Sequence, residues 1–186
     1  MSRPAERLSI ASYLEWENQQ VERHEFYRGE IFAMVGARRA HGCVVVNLSA
    51  ALRSHLRGSP CRAFAEGMKL QVADDAIFYP DLLVTCDQAD LATEMIFRAP
   101  TLIIEVLSPA TASCDRGLKF ATYRRIPSLR EVIFVDPDSK RIDGFRRNER
   151  DEWVLHDMSD GPALEAASVG CSVPLAEVFD GVDPPA

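Results

Sequence analysis

Two acids stand where acids are costly. Asp81 lies in the run Phe78-Tyr79-Pro80-Asp81-Leu82-Leu83-Val84, and Glu105 lies in Thr101-Leu102-Ile103-Ile104-Glu105-Val106-Leu107. Both runs are almost continuously apolar, which predicts two strands buried on both faces, each with an acid at its heart. An ionised carboxylate in such a strand is unfavourable unless it is paired, hydrogen-bonded or bound to a metal; otherwise its pKa rises until it is neutral. If the two strands are neighbours in one sheet, the acids share a site, and a divalent cation reconciles their like charges. Mg2+ suits such a site, because it is commonly held by one or two carboxylates together with water and substrate phosphate. A buried arginine or a loop cap explains either acid alone. Two such acids in consecutive core strands favour a common site.

The elements that position these acids follow from periodicity and turn signals. Ser9 to Val21, with Ser9 or Ser12 as N-cap, predicts a short helix. Gly29 between two β-prone runs predicts a hairpin over Glu25 to Met34. Val45, Leu48, Leu52 and Leu56 recur at helical spacing within His41 to Arg57, and Gly58-Ser59-Pro60 ends that run. Strands are expected over Cys61 to Val72, Ile77 to Cys86 and Thr101 to Leu107. A helix over Ser113 to Ile126 follows and stops before Pro127. Glu131 to Val135, Arg141 to Arg147 and Trp153 to Met158 read as further strands, and the tail from Pro174 reads as peripheral. The whole predicts one α/β domain over 1–186, with a central mixed β-sheet flanked by α-helices. Its core spans about 41–136, with an N-terminal helix and hairpin over 9–35 and C-terminal strands and tail over 140–186.

With 186 residues, 47% of them hydrophobic and 26% charged, the chain suits one globular domain with a real core. No stretch approaches the roughly 20 apolar residues of a membrane span, and Met1 to Ser9 holds no apolar signal core, so a soluble, cytoplasmic protein without a membrane partner is expected. Five scattered cysteines without a Cys-x-x-Cys argue against zinc and against a disulfide framework, and predict reduced, structural thiols. The net charge of −7 opposes the basic footprint usual in nucleic-acid binders. Charge can be segregated, and Arg116, Lys119, Arg124, Arg125 and Arg130 form a local basic run. There is no Gly-rich phosphate loop or nucleophile elbow.

Three linked runs carry a resemblance: Tyr79-Pro80-Asp81, then Ile103-Ile104-Glu105-Val106-Leu107-Ser108-Pro109, then Asp115-Arg116-Gly117-Leu118-Lys119-Phe120-Ala121-Thr122-Tyr123. As a set they resemble the Uma-two family of bacterial endonuclease-like proteins, within the PD-(D/E)xK nuclease superfamily, over about Tyr13 to Phe179. The resemblance implies a restriction-endonuclease-like core and a metal-dependent endonuclease hydrolysing nucleic-acid phosphodiester bonds, with DNA as the first candidate. It implies Mg2+ or Mn2+ held by Asp81 and Glu105, with the Val106 carbonyl as a further donor. The superfamily has a lysine two residues after the second acid, where this chain has Leu107; the family resemblance implies that Lys119 supplies that cation instead.

Read from the residues alone, Lys119 is a solvated helix charge paired with Asp115 at i, i+4. Arg116 is either a substrate-phosphate contact or a structural partner of Glu105. Three accessory candidates each have a plainer reading. Glu30 is a metal ligand or an edge-strand charge, His41 a ligand or a packing residue opening the core helix, and Lys69 a site cation or a solvent-facing strand residue. Two other functions stay open: a catalytically degenerate module that binds nucleic acid or a protein partner, and a hydrolase of small phosphodiesters. Exposed strand edges allow a homodimer.

Overall fold

The computed structural model describes residues 8–34 and 36–183. In chain order the strands are β1 (His24–Tyr27), β2 (Glu30–Ala33), β3 (Arg62–Ala65), β4 (Lys69–Val72), β5 (Ala76–Phe78), β6 (Leu82–Thr85), β7 (Ile96–Phe97), β8 (Pro100–Val106), β9 (Glu131–Asp136), β10 (Arg141–Arg147), β11 (Trp153–Asp157), β12 (Ala163–Ala166) and β13 (Cys171–Pro174). The helices are α1 (Ile10–Glu17), α2 (Arg39–His55), α3 (Gln88–Ala92), α4 (Ala112–Cys114), α5 (Phe120–Tyr123) and α6 (Leu175–Val178), with a π-helical turn, Asp115–Lys119, between α4 and α5. Among the described residues no helix is long and apolar enough to cross a membrane.

A six-stranded sheet in the order β11-β10-β9-β8-β6-β3 forms the centre. It is mixed: β8 and β9 run parallel, while β6 and β8 run antiparallel. Helix α2 lays Val44, Leu48 and Leu52 on one face, against Leu82, Leu102 and Ile104. The other face, with Leu83, Ile103 and Phe134, packs on Tyr123 and on Leu70 and Phe78 of a second sheet. Cover on both faces is why these strands read as unbroken apolar runs. The second sheet runs β2-β1-β5-β4-β7. Ser9 caps α1 by accepting the Ser12 N–H at 3.1 Å, and the β1–β2 hairpin turns at Arg28 and Gly29, both at positive φ (48° and 91°). Two successive left-handed residues give the turn a twist that matches the strands.

Two expected strands prove to be four. Cys61 to Val72 divides into β3 and β4, and Ile77 to Cys86 into β5 and β6, with the members of each pair in different sheets. The first crossing is at Glu66 and Gly67, both at positive φ (43° and 86°). A side chain on Gly67 would also place Cβ 2.9 Å from the Arg23 guanidinium. The second crossing is Tyr79-Pro80-Asp81. Pro80 has no N–H to give to a ladder, so Asp81 stands at the entrance of β6 and not at the heart of a strand.

Two other expectations are corrected. Cys61 and Cys86 form a disulfide. They follow on from the Arg62↔Thr85 pair of the β3–β6 ladder, a cross-strand proximity that linear spacing hides. The tail is not peripheral: Val178 and Val182 are buried in the α2 core. The Asn47 amide donates to the Val178 and Asp180 carbonyls, and Arg39 donates to those of Gly181 and Val182.

Asp75, in the β4–β5 turn of the second sheet, ties the β1–β2 turn to the segment that follows α5. Arg125 lies 2.9 and 3.1 Å from its two oxygens, and Arg28 lies 3.5 Å away. The hydrogen bond from Arg125 outweighs burial and holds this carboxyl below its usual range. A depressed folded pKa contributes stability above the unfolded value, and that stability is lost as pH falls through the folded one. Arg125→Ala is therefore expected to cost up to about 1 kcal/mol at neutral pH. In urea melts the difference from wild type should shrink as pH drops below 3.8.

Candidate active site

Pairing of β6 with β8, with Leu82 opposite Ile104, brings Asp81 and Glu105 side by side at one end of the central sheet. The Asp81 N–H donates to Glu105 Oε2 at 3.3 Å, and Asp81 Oδ2 accepts the Val106 N–H at 2.7 Å. Asp81 Oδ1 faces His41 Nε2 at 3.1 Å, from the first turn of α2. That hydrogen bond, partly opposed by burial, raises the His41 pKa.

Glu105 is only 2% exposed. Its Oε1 accepts the Tyr123 hydroxyl at 2.6 Å, and the Lys119 ammonium lies 3.8 Å away. Burial drives this carboxyl well above the usual range; the Lys119 charge opposes that shift, and the Asp81 and Asp115 charges add to it.

Lys119 is 8% exposed, which overturns its reading as a solvated helix charge. Its ammonium lies 2.8 Å from Glu25 Oε1 and 3.2 Å from Asp115 Oδ1, as well as beside Glu105. Burial disfavours its charge, but Glu105, Glu25 and Asp115 together hold it protonated and raise its pKa well above the ordinary value. Glu25 comes from β1 and accepts the Tyr79 N–H at 3.2 Å; burial raises its pKa against the pull of Lys119. These groups line a cleft of about 240 Å³, joined there by Arg23, Glu66, Tyr79 and Ser108. Within it, His41, Glu66 and Asp81 each offer a ligand atom, all within 4.8 Å of one another.

Residues 10–176 match the profile of the Uma-two family, described as "Putative restriction endonuclease". This chain belongs to the Uma-two family. It is 34% identical over 182 residues to the uncharacterized protein slr1290 of Synechocystis sp., covering 97% of this chain and 96% of that protein. It is 32% identical over 154 residues to the uncharacterized protein sll1609 of the same organism, covering 81% and 87%. Among solved structures it is similar to "a putative nuclease belonging to DUF820 from Anabaena variabilis ATCC 29413", with a TM-score of 0.77 and 16% identity over 95% of this chain and 99% of that one. That likeness shows a shared mixed α/β fold.

The fold thus brings Asp81, Glu105, Lys119 and, from α2, His41 together, but not the other candidates. Arg116 is not Glu105's partner: its guanidinium lies 2.7 Å from Asp143 Oδ2 and stacks over Phe134. Glu30 is exposed at the start of β2, away from the cleft lining. Lys69 is buried rather than solvent-facing, its ammonium 5.7 Å from the Tyr79 ring centroid. The basic run is largely consumed, since Asp143 takes Arg116, Asp75 takes Arg125, and Lys119 is inside.

Glu25, Glu66, Asp115 and Tyr123 are site residues that the sequence reading did not assign. Asp115 and Tyr123 stand within the motif itself, where Asp115 reads only as a helix partner of Lys119. Glu25 sits in an amphipathic hairpin like any edge acid. Glu66 carries no signal beyond the glycine that follows it.

Proposed function

We propose that this Uma-two protein is a metal-dependent endonuclease of nucleic acid, with DNA as the first candidate substrate. Asp81 and Glu105 would hold Mg2+ or Mn2+, and Lys119 would be the catalytic cation. The observation that carries the reading is the Lys119 ammonium, delivered by the π turn to 3.8 Å from Glu105 Oε1, on the side where Leu107 supplies no charge. The donor set fits a hard divalent ion: carboxylate oxygens at the end of a sheet, one of them on an acid whose pKa burial raises well above the usual range. Such an ion would polarise a phosphoryl oxygen and lower the pKa of water.

The chain's own residues prepare the site. The Val106 N–H and His41 fix the two oxygens of Asp81, while Tyr123 fixes Glu105. Lys119, kept protonated by its three acids, stabilises the negative charge that grows on the phosphoryl oxygens in the transition state. Leu107, in place of a lysine, is buried in the core.

The test is cleavage of single- and double-stranded DNA and of RNA by purified protein with Mg2+, Mn2+ or EDTA. Cleavage with metal and none with EDTA is expected. A folded protein that cuts none of these polymers under any metal refutes the reading. One observation favours a small phosphodiester as substrate: the net charge of −7, with Arg116 and Arg125 already paired to acids. Salt separates the two, because polymer cleavage weakens steeply with ionic strength through counterion release and small-ester cleavage does not.

A further inference from the structure

Three donors converge on the cleft side of Asp81 from three separate elements. His41 is on α2, Glu66 is in the β3–β4 turn, and Asp81 is at the entrance of β6; their ligand atoms lie within 4.8 Å of one another. Glu66 holds a left-handed φ of 43°, a conformation costly for a non-glycine residue and concentrated at functional sites. Its N–H donates to the Asp81 carbonyl at 2.9 Å, which locks the two residues together. The His41 ring has one polar anchor among the described residues, the cleft-facing Nε2, since Nδ1 is buried without a partner.

We propose that His41 and Glu66 join Asp81 and Glu105 as ligands of the divalent ion, giving a site of one imidazole and three carboxylates that prefers Mn2+ to Mg2+. This rests on the metal-dependent reading above and names ligands which that reading lacks. Metal–ligand distances of about 2.1 Å place donors about 4.2 Å apart in line and about 3.0 Å apart at right angles, so a trio within 4.8 Å closes by no more than about 1.8 Å. An imidazole nitrogen suits transition metals, whereas Mg2+ favours oxygen ligands and retained water.

The test is calorimetric titration of the full chain with Mn2+ and with Mg2+, joined to electron spin-echo spectroscopy of the Mn2+ form for directly bonded nitrogen. Wild type is expected to bind Mn2+ at least about tenfold more tightly than Mg2+, with a nitrogen coupling that His41→Asn removes. His41→Asn and Glu66→Gln should each weaken Mn2+ binding by about tenfold or more. Glu66→Gly should weaken binding equally while keeping or raising the thermal midpoint, because glycine relieves the strained φ. Unchanged Mn2+ affinity in these variants and no nitrogen coupling, with binding still lost in Asp81→Asn and Glu105→Gln, would overturn the proposal and leave the acid-pair nuclease standing. No binding of either ion by wild type would overturn both.

Discussion

Glu105→Gln is expected to lower metal-dependent cleavage by about 10³-fold while leaving the protein at least as stable as wild type at neutral pH. The amide keeps an oxygen for the Tyr123 hydroxyl, so packing is preserved. What disappears is the charge. In the wild-type fold that charge is a liability, since burial raises the Glu105 pKa well above the usual range. A carboxyl with a raised folded pKa favours the folded state at low pH and penalises it once pH climbs past the unfolded value. Neutral glutamine escapes that penalty. Activity lost together with stability kept or gained is the signature of a functional acid. Single-turnover cleavage and thermal melts on the same preparation check both halves. Cleavage within about threefold of wild type would make Glu105 a structural acid and remove the basis of the nuclease reading.

Lys119→Met carries the largest expected cost in stability. Methionine fills a similar volume but leaves Glu25, Glu105 and Asp115 facing one another without their common cation. Breaking a buried ion pair from one side costs about 3–5 kcal/mol. The loss should depend on pH with a definite sign. Burial already raises the Glu25 and Glu105 pKa values, and in both the Lys119 charge is the main opposing influence. Without it both rise further, so the folded variant takes up protons that the unfolded chain does not. Its stability should therefore recover as pH falls from 7 toward the ordinary carboxyl value of 4.5. Urea melts at several pH values test this, and a variant as stable as wild type at pH 7 would show that the three acids do not depend on Lys119.

How much of this was legible beforehand depended on the kind of signal. Asp81 and Glu105 announced themselves because a carboxylate in an apolar run is expensive wherever the chain goes, and the β6–β8 pairing then brought them together. Helix α2 was legible because Val45, Leu48 and Leu52 repeat at the period of the face they bury. The division of two strands between two sheets was not, since alternation records burial and not which sheet supplies it. Pro80, within an otherwise apolar run, reads as part of a strand. Glu66 stayed hidden because its left-handed φ is imposed by the crossing and not by its own preference. The tail looked peripheral because Val178 and Val182 gain meaning only against α2. The π turn was invisible because α- and π-helices draw on the same residues.

That π turn also sets what kinds of change the lineage can absorb. A lysine on a strand is fixed by the pleat, and only a substitution can remove it. Here the cation's direction is stored in the number of residues between Asp115 and Lys119. Loss of one residue from the turn would restore α-helical phase and swing the flanking segment by about 100°, carrying Lys119 out of reach of Glu105 although both of these side chains remain. Insertions and deletions, rather than replacements, are the mutations to which this arm of the site is least tolerant, so comparing helix length between relatives tracks the site better than comparing residue identity.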